Sequence, residues 1–406
     1  MNVRQISSEG TFTSASKRLA LLKKIGVDTI WLMPIYPIGE ISRKGSLGSF
    51  YSIRDYKEVN REFGDKNSLD AFIKHAHELG LKVILDWVAN HTSRDATWLQ
   101  QKPYSWYERD QRGCAAIPAD WTDTAKLNYG NREVWDAQVD AMKYWVENHH
   151  VDGFRCDMAM LVPLEFWEYA RCELEKVKPN IYMLAEAEGE HYLRRAFDSC
   201  YAWKLLHTAE DVALEKRRTD SLQDVISEML FNADKRGSFL SCTSNHDENS
   251  WSGSEFSRFG ASYRAFATLM FTLTGCQPLI YTGQEFGYDH SFLFFEKDSM
   301  PPFDENEYTL FYTSLCDIHH RLRNCTDFAL IKTNAKDCIL AFVRRSSLEV
   351  WTFLFNLSPY VVEADFKIND LVGEVEDVLI QKQYAFDGCM HQYMDPWSYK
   401  IFRRTL

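Results

Sequence analysis

Apolar positions along the chain recur with two periods. Leu19, Leu22 and Ile25 fall at helical spacing and Gly26 can stop that helix, after which residues 29–33 form a continuous apolar strand pattern that ends at Pro34. The unit repeats. Leu69, Phe72, Ala76 and Leu79 make a second helical stripe, Gly80 ends it, and residues 82–87 read as the next strand. Strands apolar on both faces and separated by amphipathic helices predict a parallel sheet covered by helices. Residues 2–6, 29–33, 82–87, 151–157, 181–185, 199–203, 238–243 and 279–282 make eight such strands, the number that closes a (β/α)8 TIM barrel.

Two stretches break the rhythm. Residues 92–130 carry Trp98, Trp106, Trp121, Pro103, Pro118 and Gly113 without periodicity, and predict a short subdomain inserted after the third strand. Beyond about residue 330, strand patterns near 341–344, 350–355, 361–366, 375–380 and 398–402 follow one another without helices, which predicts a C-terminal antiparallel β-sandwich. The expected domains are a barrel over 1–91 and 131–329, an insert over 92–130 and a sandwich over 330–406. The most apolar run, 266–280, is interrupted by Thr272, Thr274, Gly275 and Pro278 and is too short to span a bilayer. It reads as a core helix feeding a buried strand.

Composition narrows the partners. A formal charge of -12 with no basic cluster argues against nucleic acid or an anionic membrane, and leaves small neutral or cationic molecules. Ten cysteines are scattered with no Cys-x-x-Cys pair, and Cys156 and Cys242 lie inside apolar strand patterns. With no leader pattern in the first residues, the expectation is a cytoplasmic protein in a reducing compartment.

Polar groups gather at strand ends, where the reactive residues of such barrels lie. Gly153, Arg155 and Asp157 share one face of their strand, and Phe154 and Cys156 the other. A guanidinium beside a carboxylate lowers its pKa by roughly 1 to 3 units, so Asp157 is expected to be ionised. A plain ion pair closing a strand explains these two residues equally well. Other strand ends break the tie: Asp86, Asn90 and His91 after the third, Glu186 and Glu188 after the fifth, and Asn245, His246 and Asp247 after the seventh.

The runs DWVANH at 86–91 and GFRCD at 153–157, with Glu186 and NHD at 245–247, resemble in order and position the motifs of glycoside hydrolase family 13, the α-amylase family. Residues 26–34 and 278–285 resemble its flanking motifs, so the likeness covers the barrel nearly end to end. The resemblance implies a retaining hydrolase of α-1,4-glucans or maltooligosaccharides, with Asp157 as nucleophile, Glu186 as general acid/base and Asp247 holding the distorted sugar. It implies that Tyr51, His91, Arg155 and His246 surround the ring to be cleaved. Retention needs two carboxyl groups roughly 5 to 5.5 Å apart with unequal proton affinities. Glu186, after an apolar strand and facing other carboxylates, is expected to hold its proton.

Blander readings stand beside these. Asp86 suits a structural hydrogen-bonding role better than a catalytic one, and Glu188 is expected only to support the site. Either histidine alone reads as a satisfied buried imidazole, Tyr51 as a turn aromatic, and Trp106, Trp121 and Trp251 as core packing no less than sugar platforms.

The chain also departs from the pattern. The resemblance implies a structural calcium in many members, bound by the asparagine matched by Asn90 and by an acid in the insert. Lys126 stands in that acid's place, and its ammonium opposes a divalent cation. The expectation is an enzyme that requires no cofactor, with calcium disfavoured. After Asp157, Met158-Ala159-Met160-Leu161 lacks the Lys-His pair of many starch-degrading members, which suits short oligosaccharides, maltodextrins or transglycosylation. A glucanotransferase or isomerase on the same scaffold, or a non-catalytic glycan-binding relative, are the alternatives.

Overall fold

The computed structural model describes residues 1–232 and 237–406. Its central sheet has seven parallel strands in chain order: Thr29–Leu32, Lys82–Val88, Gly153–Asp157, Tyr182–Ala185, Ser199–Tyr201, Ser238–Ser241 and Cys276–Pro278. Helices between them cover the outside, among them Lys66–Glu78, Arg132–His149, Leu164–Glu175 and Tyr263–Thr272. Strand residues are buried on both faces, as the continuous apolar patterns require: all of Gly153–Asp157 is buried, and so is Lys82–Val88 after its first residue. The register Asp86↔Arg155 and Val88↔Asp157 brings the polar ends of two neighbouring strands to one level. Together with the C-terminal sheet this is the α/β TIM-barrel architecture expected above.

Two expected strands differ. Residues 2–6 form turns, because their polar side chains serve loops: Arg4 donates to Glu62 and to Gly48 O, and Gln5 to Leu293 O and Glu296 O. Only Met1 takes the ladder position beside Thr29–Leu32, donating to Trp31 O and accepting from Met33 N. The last strand lies at Cys276–Pro278 rather than 279–282, where a turn closed by Gln284 N on Tyr281 O ends the extended backbone. The barrel is therefore open between its first and last strands. A cavity of about 980 Å³ lies at the barrel mouth opposite Asp157, lined by Ile30, Leu184, Leu240 and Leu279 and by the strand starts Thr29, Lys82 and Ser238.

The insert packs around Trp106, Tyr107, Ala125 and Leu127, and its short strand Thr124–Lys126 pairs antiparallel with His91–Ser93. The C-terminal sheet has six antiparallel strands, ordered Asp327–Leu330, Ile339–Arg345, Glu349–Asn356, Tyr399–Thr405, Val362–Asp377 and Lys382–Met394. It folds over on itself like a sandwich, so that Val343 and Leu354 share a core with Phe366 and Met390. The patterns at 361–366 and 375–380 belong mostly to one long strand whose pairing shifts between Lys367 and Val372. Its partner Lys382–Met394 is not among the expected strands, because Gly388 and Gln392 interrupt its inward-facing apolar positions and Ala385, Cys389 and Tyr393 are exposed on the other face. The buried Arg344 guanidinium fastens this sheet to the barrel through Thr272 O, Leu322 O and Cys325 O. Among the described residues, no helix is long and apolar enough to cross a membrane.

Gly153 sets the spacing between the strand that carries Asp157 and the strand that leads to Glu186. A Cβ there would meet Tyr182 O at 2.0 Å, and that oxygen belongs to the neighbouring backbone. Gly153→Ala is expected to destabilise the fold by roughly 1–3 kcal/mol or more, read as a lower urea midpoint. An unchanged midpoint would mean that the two strands can separate at no cost.

Candidate active site

Strand alternation delivers the site. Phe154 and Cys156 face the apolar layer between sheet and helices, which turns Arg155 into the barrel and Asp157 to its C-terminal rim. Arg155 is completely buried, yet its guanidinium meets three carboxylates: Nη1 lies 3.0 Å from Asp86 Oδ1 and 3.1 Å from Asp157 Oδ1, and Nη2 lies 2.8 Å from Glu186 Oε1. Its Nε donates to Tyr201 OH at 3.2 Å. Asp86, also fully buried, accepts from Trp31 Nε1 at 3.1 Å and from Tyr51 OH at 3.0 Å. Glu186 Oε2 accepts from Met158 N at 2.6 Å, so the loop after Asp157 also holds the carboxyl of the next strand.

His246 closes the ring. Its Nε2 lies 2.5 Å from Tyr51 OH and 3.2 Å from Asp247 Oδ2. Asp247 is the most open of the acids, with 46% of its side chain exposed. Asn245 Oδ1 accepts from Asp247 N at 2.9 Å and from Glu248 N at 2.8 Å, fixing the turn on which Asp247 sits. His91 is buried, lies 3.2 Å from Asn90 Nδ2 through its Nδ1, and packs its ring 5.2 Å from Trp121.

Asp86, Arg155, Asp157, Glu186, Tyr51, His246 and Asp247 therefore form one connected network. Glu188 does not join them. The strand ends at Ala185, so alternation does not carry on to Glu188, which is exposed and accepts from Lys204 N at 3.1 Å at the start of the helix Trp203–Ala213. Trp106 is core, with its Nε1 bonded to Glu133. Trp31, Tyr201 and the Met158 amide belong to the network but stood unnoticed inside apolar or irregular runs. Alternation within their own strands, Trp31 between Ile30 and Leu32 and Tyr201 next to Cys200, would have pointed the two aromatics into the barrel.

The electrostatics correct one expectation. Arg155 does not serve Asp157 alone; it is shared by three carboxyl groups with a fourth, Asp247, nearby. Burial, and then Glu186, push Asp157 well above the usual carboxylate range rather than below it. Burial likewise raises Asp86 to about 6 against the pull of Arg155. Burial opposes charge on Arg155 itself, but Asp86 and Glu186 outweigh it and the guanidinium stays charged. One cation cannot neutralise four buried or half-buried carboxylates, so the cluster retains protons and titrates as a unit. Burial drives His91 down to about 4, and burial together with Arg155 drives His246 well below its ordinary value. Both imidazoles are neutral near pH 7, with one donor and one acceptor each for sugar hydroxyls.

The profile described as the alpha amylase catalytic domain matches residues 4–123 and 106–308, most of the barrel and its insert. The chain belongs to the α-amylase family. It is 28% identical to the alpha-amylase MalA of Haloarcula japonica over 69% of this chain and 42% of that protein. It is 26% identical to Alpha-amylase 2 of Dictyoglomus thermophilum over 68% of this chain and 50% of that protein. The chain thus spans half or less of these relatives' length. Among solved structures it is similar to the noncanonic maltogenic alpha-amylase AmyB of Thermotoga neapolitana, with TM-score 0.90 and 26% identity over 100% of this chain and 97% of that one. An alpha-amylase of Lactobacillus plantarum gives TM-score 0.89 and 29% identity over the same shares, 100% and 97%.

The residues at the calcium position implied by the family do not fit the ion. Asn90 turns its side-chain amide to His91, and Lys126, the strand partner of His91, places its ammonium 3.0 Å from Glu108. A cation already sits on the carboxylate available there. Among the described residues, no group of three or more His, Cys, Asp or Glu side chains is arranged to hold a metal.

His91 makes stability depend on pH. Its ordinary value of 6.5 falls to about 4 in the fold, so between these values the unfolded chain binds more protons than the native one. Its contribution is complete above pH 6.5 and is lost as the pH falls to 4, by about 3 kcal/mol at most. Asp86 acts oppositely: raised to about 6, it contributes stability below its ordinary value that disappears as the pH rises through 6. Replacing His91 by Gln is expected to narrow the difference in melting temperature between pH 7 and pH 4.5. An equal difference in both proteins would mean that the imidazole titrates normally in the fold.

Proposed function

We propose that the protein is a retaining glycoside hydrolase acting on α-1,4-glucans or maltooligosaccharides through a covalent glycosyl-Asp157 intermediate. The observation that carries this reading is the contact of Asp157 and Glu186 with the two terminal nitrogens of one guanidinium, which keeps both carboxyl groups within reach of one glycosidic bond. Asp157 attacks the anomeric carbon as Glu186 gives its proton to the departing oxygen. Water then adds to the same carbon, returns a proton to Glu186 and frees Asp157. For the first step the proton held by the cluster sits on Glu186 and leaves Asp157 ionised, with Arg155 in contact with both. Asp247, on the open side, faces the positive charge that develops on the ring. Tyr51 and His246 hold this arrangement through Asp86, while neutral His91 and His246 offer hydrogen bonds to hydroxyl groups.

Transfer to a second sugar uses the same intermediate, and one feature favours it: Met160 and Leu161, just past the nucleophile, are 38% and 45% exposed, an apolar rim for an acceptor. One set of reactions separates the outcomes. Maltoheptaose incubated with the protein is expected to give shorter maltooligosaccharides, with longer products as well if transfer competes, and Asp157→Ala is expected to lower turnover by at least about 10⁴-fold. Equal turnover in the variant would remove Asp157 as nucleophile. Cys114, Cys172 and Cys389 are exposed free thiols, which supports a reducing compartment.

We further infer that no calcium supports the fold, since Lys126 occupies the relevant carboxylate. Adding EDTA is expected to leave the melting temperature and the maltoheptaose rate unchanged. A fall of many degrees that added calcium reverses would overturn this.

A further inference from the structure

A guanidinium offers five N–H donors in a rigid fork, so the way the fork is turned decides which neighbours receive aligned bonds. Around Arg155 the acids are not served alike. Nη1 donates to Asp86 Oδ1 at 3.0 Å and to Asp157 Oδ1 at 3.1 Å. Nη2 lies 2.8 Å from Glu186 Oε1, yet neither of its N–H bonds is directed there, and among the described residues this buried nitrogen has no hydrogen-bond partner. Glu186 takes an aligned bond from the neutral Met158 amide instead. A bond from a cation favours the charged form of its acceptor more than a bond from an amide does. The fork as it stands therefore favours charge on Asp157 over charge on Glu186.

Three rings surround the guanidinium: its Cζ lies 4.9 Å from the centroid of Trp31, 5.6 Å from that of Tyr201 and 5.9 Å from that of Tyr51. A π face attracts the cation without selecting which nitrogen points where. Directed bonds do that. Nη1 is held by Asp86, which Trp31 and Tyr51 hold in turn, so the rotation left open is a pivot about Nη1. The bond that blocks this pivot is the one from Nε to Tyr201 OH, at 3.2 Å. Tyr201 ends the strand Ser199–Tyr201, is 2% exposed, and packs its ring in the barrel interior with Trp31, Ile84, Leu184 and Leu240. Burial keeps the phenol neutral against the pull of Arg155, so its oxygen remains a hydroxyl acceptor fixed in a packed layer.

We propose that Tyr201 is a positioning residue that settles which of the two reacting acids keeps the proton: by holding Nε it turns the guanidinium so that Asp157 receives an aligned bond from the cation and Glu186 does not. This rests on the hydrolase reading above. Tyr201 touches no reacting atom and acts through Arg155 alone. Without its hydroxyl the fork is free to pivot and aim an Nη2 N–H at Glu186, at the expense of the bond to Asp157, and charge moves from the nucleophile toward the acid. The other groups facing the guanidinium keep bonds that do not involve Tyr201: Asp86 with Tyr51, Tyr51 with His246, and His246 with Asp247. They act equally with and without the hydroxyl.

Tyr201→Phe keeps the ring and removes the hydroxyl. With maltoheptaose, kcat is expected to fall roughly 10-fold while KM stays within about twofold. The limbs of the kcat profile against pH are expected to close on one another, the acid limb moving up and the alkaline limb down by about half a pH unit or more each. Tyr201→Met, which fills similar space without a ring, is expected to do the same. A lower melting temperature with both limbs unmoved would make the residue merely structural and overturn the proposal. Limbs that move only in Tyr201→Met would overturn it too, since the ring and not the hydroxyl would then be acting. Solvent exchange of the Arg155 Nε–H, followed by nitrogen NMR, reads the anchoring apart from turnover and is expected to quicken at least roughly 10-fold in Tyr201→Phe. If the wild type hydrolyses nothing but this exchange quickens, the hydrolase reading fails and the anchoring of the guanidinium stands. An exchange rate unchanged by the loss of the hydroxyl would mean that another group holds Nε, and the proposal fails whatever the turnover.

Discussion

One buried guanidinium governs this site. Arg155 has no solvent to satisfy it, so the barrel must surround it with anions, and it does so with Asp86, Asp157 and Glu186 from three consecutive strands of the sheet or their ends. A buried charge stripped of its partners costs several kcal/mol, so none of the three acids can leave without exposing the others to that cost. The converse also holds. Without Arg155 the carboxyl groups would all be neutral in so dry a site, and none would serve as a nucleophile. A single cation among several acids makes the number of protons in the cluster the adjustable quantity, which is what an acid/base mechanism needs.

The surroundings of that cation are set by backbone spacing rather than by the charges. Gly153 lets the strand bearing Arg155 lie against Tyr182 O, and the register of that strand with Lys82–Val88 puts Asp86 directly opposite Arg155. The Met158 amide then ties the loop beyond Asp157 to Glu186. These are backbone constraints in a fully packed layer, and they preorganise the acids before any substrate arrives. The loops of the rim are held differently, by side chains such as Asn245 and Asn249, which leaves them more freedom to vary.

Much of this was legible in the residues and some was not. The strands at 29–32, 82–88 and 153–157 were readable because burial on both faces leaves a continuous apolar signature, and the polar groups at their ends stood out against it. Residues 2–6 carry the same signature in Val3 and Ile6, which are buried, but the bonds that make them a turn come from Glu62, Leu293 and Glu296, far away in sequence. The identity of the acids was legible; their proton affinities were not, because the local pair Arg155 and Asp157 conceals that the same guanidinium meets Asp86 and Glu186. Glu188, expected to support the site, stands apart from the network, since the strand ends at Ala185 and its carboxylate turns to Lys204 N. Trp251, read as core no less than as a sugar platform, is 61% exposed in the π-helical turn Glu248–Ser252, and such a turn leaves no periodic trace.

The protein's charge bears on how it finds a ligand. At -12 it would repel anions and concentrate cations, but the glucan proposed as its substrate is neutral, so long-range fields would contribute little to its capture. Recognition then has to come from contact. In the free protein the polar groups of the site are already engaged with one another: Tyr51 with Asp86 and His246, His246 with Asp247, Arg155 with its acids. A sugar hydroxyl entering there exchanges one hydrogen bond for another, with little net gain. Apolar contact has no such competitor, because an exposed ring has only water to give up. Affinity for the proposed glucan is therefore expected to come more from apolar contact than from the polar interior, whose bonds are exchanged rather than gained, which leaves that interior to the ring to be cleaved and its charge.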